Sequence, residues 1–329
     1  MSKKIIFFTS TFNTSGAEKQ LFKIFNTLKD ENKSTFVTAK GNSSNPDHIS
    51  FNVKKTTYAL FQLIKIVKNI KPDILFTTLP TPNLLNILVK KLGFINYKSI
   101  IRIANFNIEL KTTKFILKHA DIVLFNSTEN LDLYKKRFPL LSNKFKYLNN
   151  IVEKNNIEKT KTGELISKGI VISRLTKNKG IDILIKAMND IDNQNLKVDI
   201  FGNGPEYQEL NSLIKNKNVS IKNENIKIND IWNHYSFLVL PSRKEGLSNV
   251  LLEAQYNNIF SIVSDCKTGN KEVIELTKNG VVFESDNFLD LKQKLTNFTK
   301  NEYPQKESRE IIIQNYSNEK ASQILKKLI

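Results

Sequence analysis

Short apolar runs recur along the chain, and most are followed by a stretch with helical spacing. In the first half the runs are Lys4–Thr9, Thr35–Ala39, Ile74–Thr77, Ser99–Ile103, Ile122–Phe125 and Phe145–Tyr147. They are continuous rather than alternating, which predicts strands covered on both faces. Between them, Ala17–Leu28 sets Leu21, Ile24, Phe25 and Leu28 on one helical face. Tyr58–Ile70 does the same with Leu60, Leu63, Ile64, Ile66 and Val67. Strand and helix in alternation imply an open parallel sheet.

The pattern lapses over Asn149–Gly163, a polar and charged stretch that reads as a linker. It resumes with runs at Gly169–Ser173, Lys197–Phe201, Val219–Ile221, Phe237–Leu240, Phe260–Ser264 and Gly280–Phe283. Helical stretches lie at Gly180–Asn189, Pro205–Lys215, Leu247–Tyr256 and Phe288–Thr299, and a last amphipathic segment covers Asn318–Ile329. The prediction is therefore an α/β protein with domains at 1–155 and 156–312. A terminal helix, 313–329, crosses back to the first domain. Two doubly wound sheets joined by a linker leave a cleft, and such sheets bind ligands at the carboxyl ends of their strands. Chemistry is expected in strand-to-helix loops.

Composition narrows the setting. The 329 residues suit two domains, and one cysteine, Cys266, excludes an internal disulfide framework. The apolar run Ile5–Phe8 is shorter than the roughly 7–15 residues of a signal-peptide core. No apolar stretch reaches the roughly 18 residues of a membrane span. A cytoplasmic protein, soluble or peripheral, is expected. The formal net charge is +18, and it is unevenly spread. Residues 1–150 carry 24 Lys and Arg against 9 Asp and Glu, whereas residues 151–329 carry 26 against 23. A basic first half suits an anionic partner such as an acidic membrane surface, a phosphorylated lipid or nucleic acid. It equally suits a solvated lysine-rich face. Lys90, Lys91, Lys98, Lys111, Lys114 and Lys118, interleaved with Phe94, Tyr97, Phe106 and Phe115, mark the expected peripheral surface.

Four loops carry candidate chemistry. In FLVLPSRKEGLSNVLLEA (Phe237–Ala254) a strand enters a loop and then a helix, with Glu245 in the loop and Glu253 within the helix. Amides at the helix start, Ser248, Asn249 and Val250, can cradle a diphosphate. The carboxylates can accept from sugar or ribose hydroxyls. In VISRLTKNKGIDILIKA (Val171–Ala187), Arg174 and Lys179 follow a strand end and suit a leaving diphosphate. In VDIFGNGPEYQEL (Val198–Leu210), Gly202, Asn203 and Gly204 form an incomplete echo of a dinucleotide fingerprint, and a plain structural turn fits as well. Gly16 opens a helix after the first strand. Each motif also has a bland reading, as solvated loop charges or ordinary turns.

Taken together and in order, the four resemble the retaining GT-B glycosyltransferases of glycosyltransferase family 4, or group 1. The likeness runs over nearly the whole chain and is strongest from Gly169 to Glu284. It implies the GT-B fold, two Rossmann-like domains facing a cleft, the first binding acceptor and the second a nucleotide-sugar. It implies Arg174 and Lys179 on the donor diphosphate, Glu245 on the transferred sugar and Glu253 on the ribose. Gly202–Gly204 would lie near base or phosphates, and Gly16 near donor phosphate or acceptor. No cofactor and no metal are implied. The donor would be a UDP-sugar. The acceptor would be a glycan or lipid-linked glycan at the inner face of the cytoplasmic membrane, in polysaccharide, lipopolysaccharide or capsule synthesis.

The chain departs from the family at Ser15-Gly16, where many relatives have two glycines, and it lacks the family histidine near the sugar. Arg102 and Asn105 are the expected substitutes. His119 reads as a helix-end residue, and His234 beside Trp232 as packed. Asp190-Ile191-Asp192 lies in a turn after a helix, which argues against a metal site. A nucleotide-sugar epimerase or phosphorylase of the same fold, and a basic nucleic-acid binder, remain as alternatives. The absence of a binding motif for nucleic acid argues against the last.

Overall fold

A computed structural model describes residues 2–12, 15–41, 47–103, 111–153, 167–222, 231–267 and 269–329. Two compact units emerge. The first comprises Met1–Ile151 with Asn318–Ile329, and the second Val152–Ser317.

The first unit runs β1 (Lys4–Thr9), α1 (Gly16–Leu28), β2 (Lys33–Thr38), β3 (His48–Ser50), α2 (Leu60–Ile70), β4 (Ile74–Thr78), α3 (Pro80–Lys91), β5 (Lys98–Ile103), α4 (Lys111–His119), β6 (Ile122–Phe125), α5 (Thr128–Arg137) and β7 (Phe145–Tyr147). All pairings are parallel, in the order β3-β2-β1-β4-β5-β6-β7. The continuous apolar runs are explained by β1. Ile5 and Phe7 point into the core under α1, while Ile6 and Phe8 point into the core beneath α2 and α3. Under α1, Phe25 meets both Phe7 and Phe36 edge to face. The edge strand β3, His-Ile-Ser, has no apolar run and is not legible in the sequence. It is set by pairing with β2, in register Phe36 to His48.

The second unit runs β8 (Ser167–Ile172), α6 (Ile181–Asn189), β9 (Leu196–Phe201), α7 (Tyr207–Leu213), β10 (Val219–Lys222), β11 (Phe237–Leu240), α8 (Asn249–Tyr256), β12 (Phe260–Ser264), α9 (Asn270–Thr277), β13 (Gly280–Phe283), α10 (Phe288–Thr299) and α11 (Arg309–Tyr316). Its sheet is also parallel, in the order β10-β9-β8-β11-β12-β13. On β11, Phe237 and Val239 join the core under α6 and α10, while Leu238 and Leu240 join the core under α8 and α11. Gly169 on β8 leaves room for the Phe237 ring, since a Cβ there would sit 2.4 Å from it.

The return to the first unit falls at Asn318, not at residue 313, because Ile312 and Tyr316 of α11 are both held in the second unit's core. The terminal helix α12 (Asn318–Leu328) then buries Ala321 and Leu325 with the residues under α1. Among the described residues no helix is long and apolar enough to cross a membrane.

The strands β9 and β10 are amphipathic. Leu196, Val198, Ile200 and Val219 face the core, and Lys197, Asp199, Ser220 and Lys222 face the other way. Asp199, 7 % exposed, accepts from Ser220 (2.6 Å), Tyr235 (2.7 Å) and Lys222 (3.1 Å), and Lys168 lies 3.3 Å away. Burial alone would push this carboxyl up. The hydrogen bonds from Ser220, Tyr235 and Lys222, with the charge of Lys168, outweigh burial and bring it to about 2. A folded pKa below the unfolded value of about 3.9 stabilises the fold above pH ~4, and that contribution is lost as pH falls toward ~2. Acid titration of unfolding should therefore show Asp199→Asn less stable than wild type at pH 6. The two should converge as the pH drops from 4 to 2, and parallel curves across that window would contradict the assignment.

Candidate functional site

The candidate site grows from two adjacent strand ends. All four residues of β11 are buried, and Pro241 ends the strand. The loop beyond is anchored where Ser264 at the end of β12 donates to the Ser242 carbonyl (2.6 Å). The neighbouring strand β8 runs into a single 3-10 turn, Lys177–Lys179, closed by Gly180 at φ 62°. A Cβ on Gly180 would stand 1.9 Å from the Pro241 carbonyl oxygen, so only glycine lets the two loops lie flush. The Arg243 amide then donates to the Asn178 carbonyl (2.8 Å).

This stitching brings Lys179 and Glu245 together. They form an ion pair across 66 residues of sequence, with side chains 25 % and 15 % exposed, and Ser242 also donates to Glu245 (3.2 Å). Arg174 lies on the same strand-end loop as Lys179. It is exposed, and its guanidinium has no partner among the described residues. The site thus presents Arg174, without a partner among the described residues, and Lys179, already paired with a carboxylate. In a partly desolvated place, such groups can exchange each other for a ligand's anion and hydroxyls.

Arg243 was not legible as part of this site. It grips Asp182 through two bonds of 2.7 Å, reaches Asp286 at 2.8 Å and donates to the Lys177 carbonyl at 2.9 Å. The hydrogen bond to Asp182 is the main reason its own pKa rises. In turn, Arg243 offsets the upward push of burial on Asp182 and holds that carboxyl below its usual range. Arg243 therefore fixes the Lys177–Lys179 turn against the Glu245 loop. An arginine within a lysine-rich loop carries no sequence signal for such a role.

The glycines of the third motif serve this same loop. A Cβ on Gly202 would meet the Ser173 carbonyl at 1.8 Å, and one on Gly204 the Leu175 carbonyl at 2.1 Å. The Leu175 amide donates to the Asn203 carbonyl (2.9 Å), and the exposed Asn203 side chain accepts from the Gly204 amide (2.6 Å). These contacts place the glycines against the loop that carries Arg174.

At the start of α8 the sequence expectation needs correction. Ser248 caps the helix, its hydroxyl accepting from the Leu251 amide (3.4 Å). The Ser248 amide is not free for a phosphate, because it donates to the buried Asn270 (3.0 Å). Asn249 and Val250 open the first turn, and the half-buried Glu253 follows in the next.

In the first unit, Gly16 opens α1 behind a capping box. Ser15 caps the Glu18 amide, and Glu18 accepts from the Ser15 amide (3.0 Å) and from the amide and hydroxyl of Thr11 (2.7 and 2.6 Å). Arg102, expected at the acceptor or sugar, is 1 % exposed. Its guanidinium turns inward to Asn150, and burial pushes its pKa down to about 10. Asn105 lies outside the described residues. His119 does sit at a helix end, on the Phe115 carbonyl (2.9 Å). His234 is exposed rather than packed, and it is Trp232 that is buried.

Comparisons with known proteins agree with this architecture. Over 326 residues the chain is 26 % identical to the GalNAc-alpha-(1->4)-GalNAc-alpha-(1->3)-diNAcBac-PP-undecaprenol alpha-1,4-N-acetyl-D-galactosaminyltransferase of Campylobacter jejuni, covering 89 % of this chain and 88 % of that one. Among solved structures, Anabaena Alr3699/HepE in complex with UDP and glucose superposes with a TM-score of 0.82 at 15 % identity over 99 % of both chains. The apo lipopolysaccharide outer core galactosyltransferase WaaB gives 0.77 at 15 % identity over 98 % of both. Such neighbours show the fold, which is GT-B. The sequence profile of the family described as "Glycosyl transferases group 1" matches residues 152–318, half of the chain and the whole of the unit that holds Arg174, Lys179 and Glu245, so the chain belongs to that family of glycosyltransferases.

Proposed function

We propose that this glycosyltransferase transfers a sugar from a UDP-sugar to a hydroxyl of a lipid-linked glycan, with retention of anomeric configuration and without a metal or other cofactor. The observation that carries the reading is the Lys179–Glu245 pair, set beside the unpartnered Arg174 on adjacent strand ends. A donor diphosphate would draw Lys179 away and gain Arg174 as a second cation, while the sugar hydroxyls donate to the released Glu245. Amides of Asn249 and Val250 would add to the diphosphate contacts, and Glu253 would take the ribose. As the bond from the anomeric carbon to the diphosphate oxygen breaks, negative charge grows where the two cations stand. The acceptor oxygen bonds to the same face of the sugar, and its proton passes to the leaving phosphate.

Two supports bear on substrate class. The HepE structure holds UDP and glucose. The Campylobacter relative is named for an N-acetylgalactosaminyl transfer onto an undecaprenol-linked diphosphate. A sugar of the hexose or N-acetylhexosamine class and an acceptor bound by the first unit follow by analogy. The expected products are surface polysaccharide or lipopolysaccharide intermediates.

A lipid-linked acceptor asks for a membrane-facing surface, which we place on the first unit at the inner leaflet of the cytoplasmic membrane. Of the surface expected from the sequence, Lys91, Lys98, Lys111, Lys114, Lys118 and Phe94 are exposed, but two members are engaged inward and one is not described. Lys90 is engaged by Asp121, Tyr97 is 4 % exposed with its hydroxyl on the Asn86 carbonyl, and Phe106 lies outside the described residues. Beside Phe94, the residues Tyr58, Phe61 and Leu92 are also exposed, Phe61 at 80 %. Exposed Lys54, Lys55, Lys65 and Lys68 accompany them, with Lys68 over the Phe94 ring at 3.6 Å. Exposed aromatics interleaved with lysines suit an anionic interface.

A thermal-shift panel of UDP-, GDP-, ADP- and dTDP-sugars should show the largest rise with a UDP-sugar. Product NMR should give the donor's anomeric configuration. An inverted product, or no shift from any donor, would overturn the corresponding part. Arg174→Ala and Lys179→Ala should each lower kcat roughly 100-fold. Arg243→Lys, which keeps the charge but loses the fork, should cost roughly tenfold in kcat/KM through misplacement. Activity within twofold of wild type for Arg174→Ala would sink the diphosphate assignment. For the membrane surface, flotation with phosphatidylglycerol vesicles should capture the protein at low salt and release it at high salt. Phe61→Ser with Lys65→Glu should abolish capture, and unchanged capture would exclude this surface.

A further inference from the structure

The second unit carries a cationic depression remote from the strand ends just described. It lies on the face of β8, β9 and β10 opposite the core under α6, beside Ile170 and Phe201 of the second core, with a volume of about 490 Å³. Its lining includes Lys168, Lys197, Lys217 and Lys222, together with Asp199 and Ser220. Lys168 and Lys197 are register partners on neighbouring strands, as are Asp199 and Ser220, so parallel pairing fixes their spacing. Four ammonium groups share one carboxylate, a formal excess of three positive charges.

This arrangement is built rather than scattered. Asp199 is nearly buried and saturated by Ser220, Tyr235, Lys222 and Lys168. Two of the lysines are held a second time by aromatic faces. Lys168 stands 4.7 Å from the Tyr235 ring centre and Lys222 stands 5.5 Å from that of Phe201. Their side chains keep 33 % and 38 % of their surface, and Lys197 and Lys217 are exposed, so all four remain open to a ligand. A doubly wound sheet ordinarily covers this face with apolar side chains. Here ammonium groups are concentrated instead, and their mutual repulsion falls when a multiply charged anion enters.

We propose that this depression is a second, non-catalytic binding site for a compact phosphate-bearing ligand of diphosphate type. Point-charge ammonium groups with orienting hydroxyls and amides suit phosphate oxygens, and the depression is large enough for a diphosphate with a small substituent. Lys168, Lys197 and Lys217 lie at or just before the amino ends of their strands and Lys222 closes the edge strand β10, whereas Arg174, Lys179 and Glu245 lie in the loops beyond the carboxyl ends of β8 and β11. A ligand held here therefore does not occupy the proposed reaction centre, and the inference does not depend on the assigned donor chemistry.

The test is calorimetry of the full chain with inorganic pyrophosphate, in an Arg174→Ala/Lys179→Ala background that removes the carboxyl-end cations. One pyrophosphate should bind, with an affinity that falls as salt rises. Adding Lys197→Ala and Lys222→Ala should weaken it at least roughly tenfold, the effect of losing two charge-assisted contacts. Lys197 is exposed, whereas Lys222 holds Asp199 and its loss lowers the melting temperature, so an unchanged circular-dichroism spectrum at the assay temperature verifies folding. Three results would overturn the proposal: no heat with pyrophosphate, binding indifferent to the two lysine substitutions, or equal binding of sulfate. A fourth would replace it. If pyrophosphate does not bind but phosphatidylglycerol vesicles do, and the lysine substitutions remove that binding, the face docks on a lipid surface.

Discussion

Parallel pairing of β8 with β11 is the constraint on which the candidate site depends. The two strands are far apart in sequence, and each ends in a polar loop that would otherwise be independent. Gly180 allows the loops to touch by offering hydrogen where any other residue would drive a carbon into the Pro241 carbonyl. The Arg243 amide on Asn178 then fixes the register, and its guanidinium ties in Asp182 and Asp286. Only after these contacts are made do Lys179 and Glu245 face each other. The chemistry rests on a sheet pairing, one glycine and one arginine that touch no substrate themselves in this scheme.

That order explains why the resting pair is useful. A carboxylate placed alone to receive sugar hydroxyls would be costly to desolvate, and so would an ammonium placed alone to receive a diphosphate. In the structure each is the other's partner, and under the proposed function a ligand would supply a replacement for both. Binding then exchanges one set of charge-assisted hydrogen bonds for another, and the difference between the two sets determines how strongly the site discriminates. Arg174 has no such partner among the described residues, so in the proposed scheme it is the group whose interaction a diphosphate would add outright.

Much of this was legible because the sheet's demands are simple. Runs such as Ile5–Phe8 and Phe237–Leu240 must be apolar throughout, since both faces are covered, and helices such as Phe288–Thr299 must show one apolar stripe. Glu245 and Lys179 could be named as candidates from their strand-to-helix loops, and the structure pairs them. What escaped was set by tertiary contact alone. The strand His48–Ser50 has no pattern of its own. The Ser248 amide looked free at a helix start until Asn270, from the next helix, took it. Gly202 and Gly204 read as ligand-facing, but the backbone of the Arg174 loop occupies the space their missing side chains leave. Arg102 looked available at a strand end, yet it points inward to Asn150. A single sequence records which residues are present at a strand end, not which neighbour reaches them first.

The same sheet shows where pattern and function part. On β9, alternation of Leu196, Val198 and Ile200 with Lys197 and Asp199 departs from the rule that parallel strands are apolar on both faces. Simple exposure at a sheet edge would explain lysines, but not Asp199, which is nearly buried and surrounded by four donors. A buried carboxylate is tolerated only where enough cations and hydroxyls are fixed around it, and fixing them leaves more positive charge than it can balance. The carboxyl ends of these strands therefore carry cations whose partner is a carboxylate or nothing at all. One face of β8, β9 and β10 carries cations organised around a carboxylate that cannot satisfy them all. Both arrangements leave unmet positive charge, and both follow from residues that the apolar cores could not use.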